Sequence, residues 1–193
     1  MKSICVFCGS SLGTSAIYRD GATALGQALG RRGHRLVFGG GRVGLMGVIA
    51  DSVLAAGGDV VGIIPEDLQR KEIAHTGLTE LRITRSMHER KAAMAEAADG
   101  FIALPGGFGT LDELCEILTW AQLGIHAKPI GLLDIDGFFA HLEAFFDFAV
   151  GKGFIRPKHR QLLLRESDPD SLLDRMAAWT PTTTAKWTEV PDP

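Results

Sequence analysis

Along the chain, short apolar runs rich in β-branched residues alternate with longer stretches whose apolar residues recur at helical spacing. The runs at 4–8, 35–38, 59–64, 80–84, 101–104 and 129–133 read as strands. The stretches at 15–32, 44–56, 87–98, 110–123, 138–150 and 171–179 read as helices. Short strands separated by helices of several turns predict parallel βαβ units. The near-continuous apolar runs VVGII and FIAL suit strands covered on both faces. The expected fold is therefore α/β: a Rossmann-like, doubly wound parallel sheet with helices on both faces. A single domain over 1–179 should carry it, followed by a Thr/Pro-rich tail at 180–193 without regular structure. Trp187 in that tail reads either as a docking point, on a partner subunit for example, or as part of a loose end.

Composition narrows the classes. At 193 residues, with 46% hydrophobic and 22% charged, the chain can bury a substantial core. A formal net charge of -3 removes the usual electrostatic case for nucleic acid, although one phosphate needs only a local site. No run approaches the roughly 18 apolar residues of a membrane span. The start, MKSICVFCGSS, reads as a first strand rather than a signal peptide. Three cysteines, an odd number, make a disulfide framework improbable and point to a reducing cytoplasm. Cys5 and Cys8 form C-x-x-C, but on a strand that spacing sends them to opposite faces. Core thiols fit them better than redox chemistry.

In doubly wound sheets ligands bind outside the carboxyl ends of the strands. Two glycine-rich segments fall there. The second, PGGFGTLDE, follows a strand and opens a helix. Gly106, Gly107 and Gly109 allow positive φ and close approach of backbone to a ligand. Thr110 reads as an N-cap, and the free N–H groups with the helix dipole form an anion site. No Lys-Ser or Lys-Thr follows the glycines, so this is not a Walker A loop, and a monophosphate suits it better than a triphosphate with magnesium. Thr110 and Glu113 also form a T-x-x-E capping box, which by itself would explain both. The loop in front of them is more than a cap needs.

Upstream, SMHERKAAM starts a helix with Ser86 and Glu89 as a capping box. Arg90 and Lys91 then sit in its first turns, where cations oppose the dipole. A solvated basic turn is one reading. An anionic ligand, or a carboxylate such as Glu113, is the other.

The first glycine segment, GGGRVG at 39–44, satisfies G-x-G-x-x-G between a strand and a helix, and Glu66 and Asp67 stand where a ribose-binding acid would. An NAD(P)-binding protein is thus an alternative. Against it, no hydride-transfer constellation and no separate substrate domain appear, and short glycine loops also serve packing in this fold class. The six histidines show no paired ligand spacing, so no metal is expected. No G-x-S-x-G elbow is present. Ser10 and Ser11, after the first strand, are candidates to line a pocket.

Together, GGGRVGLMG (39–47), SMHERKAAM (86–94) and PGGFGTLDELCEILTWAQLGIHAKP (105–129) resemble the LONELY GUY (LOG) family, over about residues 3–155. The resemblance implies a cytokinin riboside 5'-monophosphate phosphoribohydrolase, which frees an adenine-type base and ribose 5-phosphate. Plain AMP and a prenylated nucleotide are both open as substrates. It implies Arg90 and Glu113 as catalytic residues, with Glu72, Lys91, Gly107, Phe108, Gly109, Thr110, Leu111, Asp112 and Thr119 binding substrate alongside them. Phe108 fills an aromatic place that is often Tyr. The resemblance also implies no cofactor and a homodimer with sites near the subunit contact. Many members have been labelled lysine decarboxylases, but that needs a pyridoxal phosphate lysine with its acid, for which this sequence makes no case. A non-catalytic nucleotide carrier on the same fold is the remaining alternative.

Overall fold

The computed structural model describes residues 1–69 and 74–181. Glu72 and nearly all of the 180–193 tail, including Trp187, lie outside the described residues. In chain order the elements are β1 (Ser3–Phe7), α1 (Ala16–Arg31), β2 (Arg35–Phe38), α2 (Gly44–Ala55), β3 (Val60–Pro65), α3 (Glu66–Gln69), β4 (Glu80–Thr84), α4 (Met87–Ala97) and β5 (Gly100–Ala103). They continue with α5 (Phe108–Gln122), β6 (Ile130–Leu133), α6 (Ala140–Gly151), α7 (Pro157–Arg160), β7 (Leu163–Glu166) and α8 (Pro169–Ala177).

The seven strands form one sheet in the order β4-β3-β2-β1-β5-β6-β7, and every pairing is parallel. Alternation along each strand fills both faces. Ile4 and Val6 pack with Leu25, Leu29, Ile49 and Leu172 from α1, α2 and α8. Cys5 and Phe7 pack with Met94, Leu114 and Ile117 from α4 and α5. The chain steps outward from β1 to β4 and then returns to lay β5 on the other side of β1. Between β1 and β5 lies the switch point, where such sheets leave a crevice at the carboxyl ends of the strands. The Gly9 N–H donates to Pro105 O across it at 3.0 Å.

The order of the long helices and of the first six strands matches the sequence reading; the one-turn helices α3 and α7 are additional, and two further differences bear on the site and the sheet. β7 (LLRE) was not foreseen. It is a short edge strand with only its first two residues buried, so it offers little periodicity to read. The second concerns α5, which begins at Phe108 rather than Thr110, with Gly107 as N-cap in extended conformation and no side-chain cap. Thr110 is therefore inside the first turn and buried, and no T-x-x-E box forms. Ser86, by contrast, accepts from Glu89 N–H at 3.1 Å, while the Glu89 carboxylate reaches back to Arg85 N–H at 2.6 Å.

Cys5 and Cys8 are free, buried and on opposite faces, and Cys115 is exposed. Burial, and secondarily the Glu113 carboxylate, pushes both inner thiols well up. Burial also raises Cys115, but less completely enclosed as it is, it remains within reach of reagent. Titration of the native chain with an aromatic disulfide should thus leave Cys5 and Cys8 unreacted, and should consume all three thiols once denaturant is added. Fast reaction of a second thiol would contradict this packing.

Candidate active site

A helix leaves its first four N–H groups without intrahelical acceptors. In α5 these belong to Gly107, Phe108, Gly109 and Thr110, since the first ladder bond runs from Leu111 N–H to Gly107 O at 3.1 Å. With glycine at the cap, no side-chain oxygen occupies them. The dipole adds positive potential at the same place. Positive φ plays no part, since Gly106, Gly107 and Gly109 all lack it. What Gly106 supplies is room: a Cβ there would stand 2.1 Å from Thr110 Oγ1 and 2.8 Å from Gly9 N. Cβ atoms on Gly107 and Gly109 would meet nothing within 4 Å, which leaves the helix mouth open on that side.

One turn further on, Glu113 points inward. Its Oε1 lies 3.3 Å from Arg90 Nη2, and the two side chains are only 10% and 9% exposed. Arg90 is held on other sides too. Its Nε donates to Ile63 O at 3.2 Å, and Nη1 lies 3.7 Å from the Met87 sulfur. The cation that opposed the α4 dipole in sequence thus has a carboxylate partner. A buried pair of this kind is costly to form and costlier to break, so it argues for function more than for stability.

Around the pair lies a cavity of about 200 Å³. Its lining unites the α5 mouth (Gly107, Phe108, Gly109, Thr110) with Arg90, Glu113, Cys8, Gly9, Ser10, Gly39 and Met46. A second, more apolar cavity of about 270 Å³ shares Gly9, Ser10 and Gly107 and extends to Leu12, Tyr18 and Phe138. Ser10 lies between the two, and Ser11 lines only the second.

The other expected residues are dispersed. The Lys91 ammonium sits beside the site, bridging Asp112 at 3.2 Å and Glu116 at 3.0 Å. Leu111 is half-buried on α5. Thr119 is two turns beyond Glu113 and lines a different groove with Cys115, Leu118 and Phe146, its hydroxyl donating to Cys115 O at 2.7 Å. A single chain does not bring Thr119 to the cavity.

Gly39 and Met46 are site neighbours that sequence reasoning did not identify. The first glycine segment does open α2, with Gly40 and Gly44 at positive φ. Its glycines, however, are used for packing. A Cβ on Gly39 would stand 2.1 Å from Arg90 Nη2, and one on Gly44 would stand 2.2 Å from the Ser10 carbonyl carbon. The loop makes space for a guanidinium, where a dinucleotide site would need it for pyrophosphate. Gly39→Ala should therefore cost about 1–3 kcal/mol, read as a drop of several degrees in the unfolding midpoint. Gly107→Ala, facing open space, should cost no more than the roughly 0.5–1 kcal/mol of a poorer N-cap residue. Equal effects would contradict the assignment.

Among the described residues no group of His, Cys, Asp and Glu is arranged to hold a metal. No helix among them is long and apolar enough to cross a membrane.

A family model described as possible lysine decarboxylase matches residues 46–176. A pyridoxal phosphate lysine must be available as a neutral amine. No lysine lines the cavity among the described residues, and the carboxylates beside Lys91 outweigh its partial burial and raise its pKa. The site does not fit that cofactor. A probable cytokinin riboside 5'-monophosphate phosphoribohydrolase of Oryza sativa subsp. japonica is 51% identical over 180 residues, 93% of this chain and 79% of that protein. A cytokinin riboside 5'-monophosphate phosphoribohydrolase of Arabidopsis thaliana is 49% identical with the same coverage. Among solved structures, the molybdenum cofactor carrier protein of Chlamydomonas reinhardtii superposes with a TM-score of 0.70 at 20% identity, covering 92% of this chain and 98% of that one. The molybdenum cofactor binding protein of Rippkaea orientalis gives 0.68 at 22%, covering 92% and 97%. At those identities the structures share the fold alone. The plant sequences share about half of all residues along nearly the whole chain, and on that ground it belongs to the LOG family of cytokinin riboside 5'-monophosphate phosphoribohydrolases.

Proposed function

We propose that this chain hydrolyses the N-glycosidic bond of an adenosine 5'-monophosphate, cytokinin-type or plain, to a free adenine-type base and ribose 5-phosphate. The observation that carries the reading is the buried Arg90–Glu113 pair, 3.3 Å apart, one turn behind an uncapped helix mouth. The phosphate takes the N–H groups of Gly107, Phe108, Gly109 and Thr110, and Lys91 and Asp112 border it. Phosphate held there sets the ribose over Glu113. As the bond to the base breaks, its electrons leave with the base, which takes up a proton from solvent, and positive charge grows on C1 and the ring oxygen. The Glu113 carboxylate, itself only 10% exposed, stabilises that charge and accepts the proton of the water that adds to C1. Arg90, permanently protonated, serves no proton transfer. It fixes the carboxylate and adds positive potential near the phosphate.

Incubation with AMP and with isopentenyl-AMP, followed by chromatography, tests the reading. Free base from at least one of them is expected. Binding without any base release would leave a carrier instead.

The homodimer implied by the family belongs to the same proposal. Phe145, Phe148 and Phe154 are 61%, 61% and 88% exposed on and after α6, near the groove that holds Thr119. A second copy seated there would cover them and bring Thr119 toward a neighbouring site. A monomeric mass at working concentration would refute the pairing. With its cysteines free, the chain suits a reducing compartment such as the cytoplasm.

A further inference from the structure

The groups lining the cavity match a phosphate and a ribose: backbone N–H donors, a carboxylate, a guanidinium and a serine hydroxyl. Its apolar members, Val6 and Met46, are buried in the fold. A purine needs a flat apolar neighbour; the cavity's own lining supplies Phe108, which is 93% exposed, and the adjoining cavity supplies Tyr18 and Phe138 on the side away from Arg90. Just beyond the lining stands Met87. As the first residue of α4, capped by Ser86, it needs no apolar side chain for the helix, and yet it is a large one left 41% exposed. Its sulfur lies 3.7 Å from Arg90 Nη1, on the same guanidinium whose Nη2 holds Glu113. The thioether therefore ends beside the guanidinium that holds the Glu113 carboxylate.

We propose that Met87 is a wall of the base subsite and contacts the purine face of the substrate and of the departing base. The inference rests on the nucleotide-hydrolase reading of the site. A thioether is polarizable and favours contact with aromatic rings. Its unbranched chain also adjusts to different substituents, so the same wall receives an adenine with or without a group on its exocyclic amine. Met87 then determines affinity for the base and leaves the phosphate grip untouched.

The test separates the two halves of the substrate. Binding of adenine and of ribose 5-phosphate is measured by calorimetry on the full chain and on Met87→Ala and Met87→Leu. Adenine affinity should fall about tenfold in the alanine variant and recover most of that in the leucine variant. Ribose 5-phosphate affinity should stay within about twofold of the parent. KM for AMP should rise with kcat nearly unchanged. Unaltered adenine binding in Met87→Ala, no adenine binding by the parent chain, or equal weakening of both products would each overturn the proposal. Selective loss of adenine binding in a chain that releases no base from any nucleotide would uphold Met87 and defeat the hydrolase reading instead.

Discussion

Glu113→Gln is expected to lower base release by about a thousandfold while the chain stays folded. Glutamine has nearly the same shape, and its amide oxygen accepts from Arg90 as the carboxylate does. What disappears is the negative charge beneath the developing cation. Because the side chain is 10% exposed, water cannot replace that charge, and the loss falls on kcat more than on KM. Arg90 is left without its counter-charge, so some stability is lost as well. Kinetics and a thermal melt of the same preparation check both parts. A variant retaining more than about a tenth of the parent rate would show that Glu113 only holds the helix pair together.

Arg90→Ala is expected to be worse for the fold. It takes the guanidinium away from a buried carboxylate and removes the donor to Ile63 O. Breaking a buried pair from one side costs about 3–5 kcal/mol, a fall of roughly 10 °C in the unfolding midpoint for a chain this size. Base release should drop to background. The double variant Arg90→Leu with Glu113→Leu separates the two effects. With both charges gone, stability should return to about that of the parent, within 1–2 kcal/mol, while activity stays absent. Recovery of activity along with stability would mean the pair is structural.

These expectations rest on features of unequal legibility. The sheet was readable because VVGII and FIAL are apolar without interruption, as strands buried on both faces must be. Arg90 was readable as a cation placed against its helix dipole, and Glu113 as the candidate counter-charge. The start of α5 was not, because a threonine three residues before a glutamate is also what a capping box looks like. Glycine at the cap gives no side-chain signal, and its meaning emerges only when the mouth it leaves open faces Arg90. Gly39 is visible in sequence as part of a G-x-G-x-x-G segment, a pattern that a dinucleotide site and a packing loop share. Its role depends on α4 passing beneath the β2–α2 loop, a juxtaposition 51 positions apart in the chain. Thr119 is a different case. It stands about 9 Å along the helix axis from Glu113 and lines another groove, so any part in substrate binding calls for a second chain.

On this mechanism the site adds water to C1 of a nucleoside monophosphate. That step is tested most directly by turnover in heavy-oxygen water, with the products read by mass spectrometry. The expected result is free adenine-type base without label, and an equal amount of ribose 5-phosphate that carries the label at C1 before its anomeric oxygen exchanges. Intact nucleotide after prolonged incubation with both AMP and isopentenyl-AMP, or label entering phosphate with the glycosidic bond unbroken, would contradict it.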